Sequence, residues 1–109
     1  MKRRLVYTHE AKADLAEAKA YTIETWGHQQ ARRYVSDLAS DIKALRLSAL
    51  RYPLYDFVLV GLRRKRSGMH HIYYLTFEDR LVIVRIIHVQ RDPGQHLKLE
   101  TWRDEEDEQ

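Results

Sequence analysis

The sequence predicts a one-domain α+β fold: an N-terminal strand, an antiparallel two-helix hairpin and a twisted antiparallel sheet, in the order β-α-α-β-β-β. Three observations predict it. A short apolar run stops at Thr8, two stretches of helical spacing are separated by Gly27, and period-two alternation extends from about residue 58 to Val89. A chain of 109 residues suffices for one core and is too short for two ordinary domains, so we assign residues 1–99 to the domain and residues 100–109 to an acidic, disordered tail.

The first strand covers residues 2–7 and leads directly into a helix. Thr8 is a good N-cap residue, and Glu10 lies in the first turn, where a negative charge suits the helix dipole. Small or apolar residues then recur at helical spacing as far as Gly27, which suits the left-handed position after a helix. These signals predict a first helix over residues 9–26.

A second helix follows after a short link. Its apolar stripe consists of Ala31, Tyr34, Leu38, Ile42, Leu45 and Ala49. Tyr52 precedes Pro53, which disfavours helical geometry at Tyr52 and closes the segment. Because only Gly27 and His28 separate the two helices, we expect them to form an antiparallel hairpin.

Three strands rich in Val, Ile and Tyr follow the helices. They span residues 58–66, 69–77 and 80–89. The first two are separated by Ser67-Gly68 and the last two by a Glu-Asp pair, and two-residue loops predict antiparallel hairpins. A two-residue turn at Ser67-Gly68 places Arg66 opposite Met69.

Both faces of the last strand are largely apolar, which predicts a sheet covered on two sides. One face carries Leu81, Ile83, Arg85, Ile87 and Val89, and the other carries Val82, Val84, Ile86 and His88. The helical hairpin covers one face. The second face is covered by a partner protein or by the chain's own residues 95–102, or its aliphatic side chains stay exposed.

Charge is unevenly distributed along the chain. The formal net charge is +3, but residues 100–109 hold six acidic residues against one arginine, a net −5, so the remaining residues carry +8. A basic body suits an anionic partner such as nucleic acid or an acidic peptide, with the tail as a competitor. A solvated surface with a disordered tail is equally compatible with this distribution.

The composition also bounds the location of the protein. There is no cysteine, which agrees with a reducing cytosol, and no run approaches the roughly 18 apolar residues of a membrane span. We therefore predict a cytoplasmic protein.

Four consecutive cations occupy the end of the first of the three strands. Because strand residues alternate between faces, Arg64 and Arg66 share one face while Arg63 and Lys65 share the other. No single flat ligand can engage all four.

The adjacent histidines His70 and His71 point to opposite faces of a regular strand, so they cannot chelate one metal ion together. Without cysteines or a nearby carboxylate cluster, we predict no metal site and no cofactor. The sequence also has no Gly-rich phosphate loop and no Ser-His-Asp arrangement. Any catalytic activity would therefore depend on the basic residues.

Arg85 interrupts an apolar strand, where its guanidinium needs a carboxylate, a carbonyl or a phosphate to offset desolvation. His88 lies three residues further on, and Arg91 follows at the strand exit. An internal pair with a carboxylate is favoured over a catalytic role. The candidate partners are Asp14, Asp56 and Asp92.

Spaced motifs occur in order along roughly residues 3–98. They are Asp14-Leu15, Tyr21, Trp26-Gly27, Gln30-Ala31, Tyr34, Leu38, Leu45, Pro53, Leu62-Arg63, His71-x-Tyr73-Tyr74, Arg85-Ile86-Ile87-His88 and Arg91-Asp92. Together they resemble the ParE branch of the RelE/ParE toxins, the toxic components of bacterial type II toxin–antitoxin systems. The resemblance implies the same helical hairpin on an antiparallel sheet.

The resemblance also implies a function in growth arrest. ParE-like members are associated with binding and poisoning of DNA gyrase rather than with catalysis, and with a cognate ParD-like antitoxin that wraps the toxin. From the position of the basic residues we expect target contacts at Arg63, Arg64, Arg66, His88 and Arg91. We expect the antitoxin, through an acidic and partly disordered C-terminal segment, to contact Arg33, Tyr34, Leu38, Arg63 and Arg66.

Two alternatives remain open. RelE-like members cut messenger RNA in the ribosome, and the residues for such an endonuclease would be Arg63, Lys65, Arg85 and His88. These members use a tyrosine or histidine near the C-terminus; here Tyr74 is the last tyrosine, so His88 would take that role. The second alternative is a non-toxic interaction or nucleic-acid-binding module.

Overall fold

A computed structural model of the chain describes residues 3–56, 59–91, 93–96 and 105–107. The elements in chain order are β1 (Arg4–Thr8), α1 (His9–Trp26), α2 (His28–Ser48), β2 (Arg63–Ser67), β3 (His70–Thr76), β4 (Arg80–His88), α3 (Pro93–His96) and β5 (Glu105–Asp107). The predictions that fall on Val58, Asp92 and most of residues 95–102 lie outside the described residues.

The predicted α+β class, with a helical hairpin packed on a sheet, is confirmed. The five strands lie in the order β2-β3-β4-β1-β5. β1 runs parallel to β4, with Leu5 opposite Leu81, whereas β2, β3 and β4 pair antiparallel as predicted. The sheet is therefore mixed, because the tight turns that fix the later strands do not constrain β1, which is joined to them by a long helical connection.

Helix α1 has the predicted bounds and the predicted N-cap. The Thr8 hydroxyl accepts the Ala11 N–H at 3.0 Å and donates to the Val84 carbonyl at 2.7 Å, so one buried side chain caps α1 and ties it to β4. At the other end Gly27 has φ 96°, and its N–H donates to the Ile23 carbonyl. This positive φ lets α2 begin directly after Gly27, so the link between the helices is one residue long instead of the predicted two.

The β2–β3 turn consists of Gly68 and Met69, not of Ser67 and Gly68. Arg66 therefore lies opposite His71, a register two residues from the predicted one. Gly68 has φ 59°, and a Cβ on it would lie 2.6 Å from Cε1 of Tyr34, so both the backbone and the space require glycine. A two-residue shift preserves the faces, and the predicted division of the cations between them still holds.

The first of the predicted later strands is shorter than expected. β2 begins at Arg63, and residues 59–62 belong to the preceding loop. An isolated bridge between Leu54 and Arg63 and a hydrogen bond from the Arg64 N–H to the Pro53 carbonyl at 3.2 Å join the loop to the strand, and the Tyr55 N–H donates to the Leu62 carbonyl at 2.6 Å within the loop. The other two strands end within about one residue of their predicted bounds.

An irregularity in β4 changes which side chains share a face. Tyr73 pairs with Arg85 while Tyr74 pairs with Ile83, so β4 carries one extra residue at this point. Ile86 consequently joins the cluster on the helical side, and Ile87 joins the opposite one. The strict alternation predicted for residues 80–89 is wrong beyond the bulge.

The sheet buries one apolar cluster on each face. The cluster on the helical side consists of Leu5, Tyr7, Ala11, Leu38, Ile42, Leu45, Ala49, Ile72, Tyr74, Leu81, Ile83 and Ile86. The cluster on the other face consists of Val6, Leu62, Tyr73, Leu75, Val82, Val84 and Ile87. Tyr55, Leu59 and Phe77 pack against this second cluster. Of the three alternatives for the second face, cover by a partner protein and exposure of the aliphatic side chains are therefore wrong, since this chain buries the face itself.

Part of the acidic tail forms a strand where we predicted disorder. β5 pairs antiparallel with β1, with Tyr7 opposite Glu106. Without β5, the outer edge of β1 would have unpaired backbone N–H and C=O groups. Pairing with β5 satisfies these groups even though the segment is polar. None of the helices in the described part of the chain has the length and apolarity that a membrane crossing requires.

Candidate functional site

Arg85 is held by a bidentate ion pair with Asp14 on α1. Its Nε and Nη2 atoms donate to the two carboxylate oxygens at 2.7 and 2.9 Å, and the same carboxylate accepts the Ile86 N–H at 2.8 Å. The Asp14 side chain is 8% exposed and that of Arg85 is 18% exposed, so water competes little for either charge. The hydrogen bonds to Asp14 raise the pKa of Arg85. The predicted internal pair is confirmed, and its partner is Asp14.

Arg63 is fixed by the chain segment that follows α2. Its Nη1 donates to the Tyr52 carbonyl at 2.5 Å and to the Leu50 carbonyl at 3.4 Å. Its Nε is buried and has no hydrogen-bond partner among the described residues. A cation just beyond the C-terminal end of a helix also suits the helix dipole, so Arg63 has a structural role.

The next two cations lie over tyrosine rings. The guanidinium carbon of Arg64 is 4.5 Å from the centroid of the Tyr55 ring, and Lys65 Nζ is 4.7 Å from that of Tyr52. Arg66 is exposed, and its Nε donates to the carbonyl of the following turn at 2.9 Å. Of the four cations, Arg66 is the most accessible to a partner.

A buried histidine lies at the turn end of the sheet. His70 pairs with His88 across β3 and β4, and their rings are 5.4 Å apart. Its Nδ1 is 2.6 Å from the Tyr34 hydroxyl, which also accepts the Met69 N–H at 2.9 Å. Burial, reinforced by the charges of His88 and Arg91, lowers the pKa of His70 to about 4. His70 is therefore neutral at pH 7, and we assign its Nδ1 as the acceptor of the Tyr34 hydrogen.

An open cleft of about 570 Å³ lies between α1 and this end of β3 and β4. Its lining includes Asp14, Glu17, Tyr21, His70, His88 and Arg91. The Tyr21 ring meets the His88 ring edge-on at 6.0 Å, and Arg91 Nη1 donates to Glu17 Oε1 at 3.2 Å. Because both partners of that ion pair are well exposed, it contributes little and opens readily.

The structure brings three of the predicted target residues to one end of the sheet. His70 and His88 lie in one row across the strands, and Arg66 directly precedes the β2 residue of that row. Arg91 follows β4 on the same side of the cleft. Arg63 lies at the other end of the five-residue strand β2, roughly 13 Å along the strand direction. The predicted target residues therefore do not form one continuous patch.

The residues predicted to contact an antitoxin on α2 have different environments. Arg33 is exposed, and the hydroxyl of the half-buried Tyr34 is engaged by the β2–β3 turn. Leu38, in contrast, is 1% exposed, because α2 presents this position to the sheet. Leu38 is a core residue and offers no surface to a partner.

Sequence reasoning missed the positions of Glu17 and His70 in the cleft. Glu17 follows Asp14 by three residues on one face of α1, so helical spacing was an available signal. The sequence contains no signal for the position of His70, because its environment depends on the register of the β2–β3 hairpin. Across the described ranges, no group of three or more histidine or carboxylate side chains is placed to hold a metal ion.

The sequence also matches a family model described as "ParE toxin of type II toxin-antitoxin system, parDE", over residues 5–93. This chain belongs to the ParE toxin family. The match begins in β1 and reaches the start of α3, so it includes the helical hairpin, the basic strand β2 and the cleft.

Several curated ParE toxins are similar along most of their length. Toxin ParE of Escherichia coli is 33% identical over 90 residues, which cover 80% of this chain and 85% of that protein. Toxin ParE1 of Caulobacter vibrioides is 29% identical over 90 residues, 83% of this chain and 93% of that protein. Toxin ParE1 of Mycobacterium tuberculosis is 28% identical over 98 residues, 89% of this chain and 100% of that protein.

The fold is similar to a solved structure described as "Chromosomal ParDE TA system from P. aeruginosa". The superposition has a TM-score of 0.72 at 21% identity and covers 82% of this chain and 98% of the other. At this identity the likeness supports the fold, and the family match supports the assignment as a ParE-type toxin of a toxin–antitoxin system.

Proposed function

We propose that this ParE-type toxin arrests growth by binding and poisoning DNA gyrase, and that a cognate ParD-like antitoxin neutralises it. The match to the ParE family over residues 5–93 is the observation that carries the proposal. Gyrase is the target that the resemblance to ParE-like members implies. A partner of the ParD type is consistent with the ParDE system named for the similar solved structure.

The geometry supports action by binding rather than by RNA cleavage. Arg85 is neutralised by Asp14, and Arg63 donates to carbonyls beyond α2. Arg63 and His88 lie roughly 13 Å apart along the strands and about two strand spacings, roughly 10 Å, across the sheet. Acid–base and charge-stabilising groups act within about 3 Å of the reacting atoms, so these groups do not converge on one scissile phosphate.

The target surface that we propose is the end of the sheet that carries Arg66, His88 and Arg91. Arg66 and Arg91 are exposed, and His88 lines the open cleft. Clustered cations at one end steer the protein toward an anionic surface such as gyrase with its bound DNA. Arg64 shares a face of β2 with Arg66, and both point to the sheet face opposite His88, so the basic end of the sheet has cations on both faces.

The antitoxin contact that we propose lies on the helical hairpin. The second sheet face is already buried, so aliphatic side chains of an antitoxin need another surface. Leu47 and Leu50 at the end of α2 are 73% and 60% exposed, and Arg33 is exposed on the same helix. An acidic segment that folds on binding would place its apolar side chains on the leucines and its carboxylates on the cations.

Purified toxin tests the gyrase proposal directly. We expect it to inhibit supercoiling by gyrase and to accumulate complexes in which the DNA is cleaved. Inducible expression in cells should give growth arrest with a DNA-damage response and without new 5′ ends in transcripts. Growth arrest with unchanged supercoiling and no cleaved complexes would remove the proposal; new 5′ ends would favour the endonuclease, and no arrest would favour a non-toxic module.

Charge-matched variants locate the target surface. Arg66→Ala combined with Arg91→Ala removes two exposed cations at the proposed end, whereas Arg32→Ala and Arg33→Ala remove two exposed cations from α2. We expect the first pair to lose gyrase inhibition and the second pair to retain it. Because all four side chains are exposed, each pair should keep the melting temperature of the parent. Equal inhibition by the two pairs would show that the surface is elsewhere.

A further inference from the structure

The acidic C-terminal strand β5 occupies the outer edge of the sheet beside β1. Its three residues pair with the last three residues of β1: Val6 with Asp107, Tyr7 with Glu106 and Thr8 with Glu105. Without β5, β1 would be the edge strand, because the sheet order is β2-β3-β4-β1-β5. An edge strand exposes backbone N–H and C=O groups to which another extended chain can add.

Local propensity does not explain why this segment forms a strand. The three residues are Glu, Glu and Asp, which are depleted in strands and repel one another. The β1 edge has an exposed cation near each end: Arg4 begins β1, and Lys12 lies in the first turn of α1, which follows β1. An acidic strand is therefore complementary to this edge in both backbone pairing and charge.

The strand is also short and lies outside the region that the family match covers. It has three residues, whereas β1 has five, and the family match ends at residue 93. A pairing of three residues that depends on charge complementarity is weak and sensitive to salt. It can occupy the edge and still be displaced.

We propose that the acidic tail is an intramolecular plug for the β1 edge, and that this edge accepts an extended acidic peptide by strand addition. In the closed form the tail blocks the edge. In the open form an acidic peptide of another protein, longer than β5, pairs along β1. If the tail occupies the edge nine-tenths of the time, its release strengthens the apparent affinity for such a peptide about tenfold.

Hydrogen exchange in the full-length protein tests the plug. The double substitution Glu105→Pro and Glu106→Pro removes two adjacent N–H groups; one of them points toward β1, because successive N–H groups of a strand point to opposite sides. The matched control, Glu105→Gln with Glu106→Gln, removes two charges but keeps both donors. We expect the β1 amides that point to β5 to exchange about tenfold faster in the proline variant than in the wild type, and the glutamine variant to lie between them. Equal exchange in wild type and proline variant, or in the proline and glutamine variants, would overturn the strand pairing.

Peptide binding tests the acceptor edge. The probe is a fluorescent peptide with the sequence of residues 103–109, added to wild type and to the proline variant at low and high salt. We expect the proline variant to bind it about tenfold tighter than the wild type, and binding to weaken with salt. A peptide N-methylated at the positions of Glu105 and Glu106 keeps the charges and loses the donors, so it should not bind. Binding of the methylated peptide, or no binding of the unmodified one to the proline variant, would refute the proposal; both readouts are independent of the target of the toxin.

Discussion

Replacement of Asp14 by alanine should destabilise the fold severely, because this single carboxylate joins α1 to β4 through three hydrogen bonds. It accepts from Nε and Nη2 of Arg85 and from the Ile86 N–H, all within 2.9 Å. The substitution leaves a guanidinium that is 18% exposed without its counter-charge, and a strand N–H without its acceptor. The cost arises mainly from these stranded groups rather than from the lost attraction.

The magnitude follows from the burial of the pair. Removing one partner of a buried ion pair costs about 3–5 kcal/mol, and since Arg85 retains some exposure we expect about 3 kcal/mol. An unfolding entropy of about 2.1 cal/mol/K per residue gives about 0.23 kcal/mol/K for 109 residues. The melting temperature should therefore fall by about 13 °C. Asp14→Asn keeps one acceptor and should show about half of this fall.

Thermal unfolding followed by circular dichroism measures the effect, with Glu17→Gln as the control. Glu17 also pairs with an arginine, at 3.2 Å, but both side chains are well exposed, so the control should change the melting temperature by less than about 2 °C. A double-mutant cycle with Arg85→Ala should give a coupling energy of about 2 kcal/mol. If Asp14→Ala lowers the melting temperature no more than Glu17→Gln does, or if the coupling energy is near zero, the ion pair between Asp14 and Arg85 does not hold α1 on β4.

Three further predictions concern single groups. Since the pKa of His70 is about 4 when folded and 6.5 when unfolded, the unfolded state binds more protons between these values, and stability should fall by about 3 kcal/mol as pH drops from 7 to below 4. His70→Gln should remove this part of the pH dependence in urea unfolding; an unchanged slope between pH 6.5 and 4 would contradict it. Gly68→Ala should cost about 2–3 kcal/mol in the same assay, because the new Cβ lies 2.6 Å from the Tyr34 ring and the backbone has a positive φ. At Gly61, which also has a positive φ, a Cβ meets nothing within 4 Å, so Gly61→Ala should cost about 1 kcal/mol. Equal costs would exclude the steric contact. Thr8→Ala should lower the free energy of unfolding by about 2 kcal/mol, because it removes the α1 cap and the hydrogen bond to β4. Thr8→Ser retains the hydroxyl and should cost less than half as much. Similar losses of stability in the two variants would show that the methyl group matters more than the hydrogen bonds.

The first helix was predictable residue by residue because its boundaries are set by local chemistry. Thr8 offers an acceptor to the first turn, and Gly27 adopts the positive φ that ends the helix. The division of the four cations between two faces was also predictable, since it depends only on strand periodicity. The internal pair of Arg85 followed from the cost of burying an unpaired guanidinium, although three carboxylates were candidates and only the packing of α1 selects Asp14.

Some features were misassigned, and others have no signal in the sequence. Gly68-Met69 fits a type II′ turn with glycine and its positive φ at the first position, whereas Ser67-Gly68 would require a positive φ at Ser67, so turn chemistry already favoured the observed register. The bulge in β4 has no sequence signal, yet it exchanges the faces of the residues that follow it. Because residues 58–62 were assigned to a strand, the loop residues around Tyr55 that help to cover the second face were overlooked.

The contacts of the basic strand bear on how it recognises a partner. Arg64 and Lys65 lie over tyrosine rings, and Arg63 is tied to carbonyls at the end of α2, so three long side chains are restricted before any partner arrives. Immobilising a flexible side chain on binding costs about 0.5–1.5 kcal/mol, and here much of that cost is met during folding. The remaining cation, Arg66, is exposed next to the turn and can adjust to the partner. Because these ordered charges are divided between the two faces of β2, each face favours a partner of fixed shape.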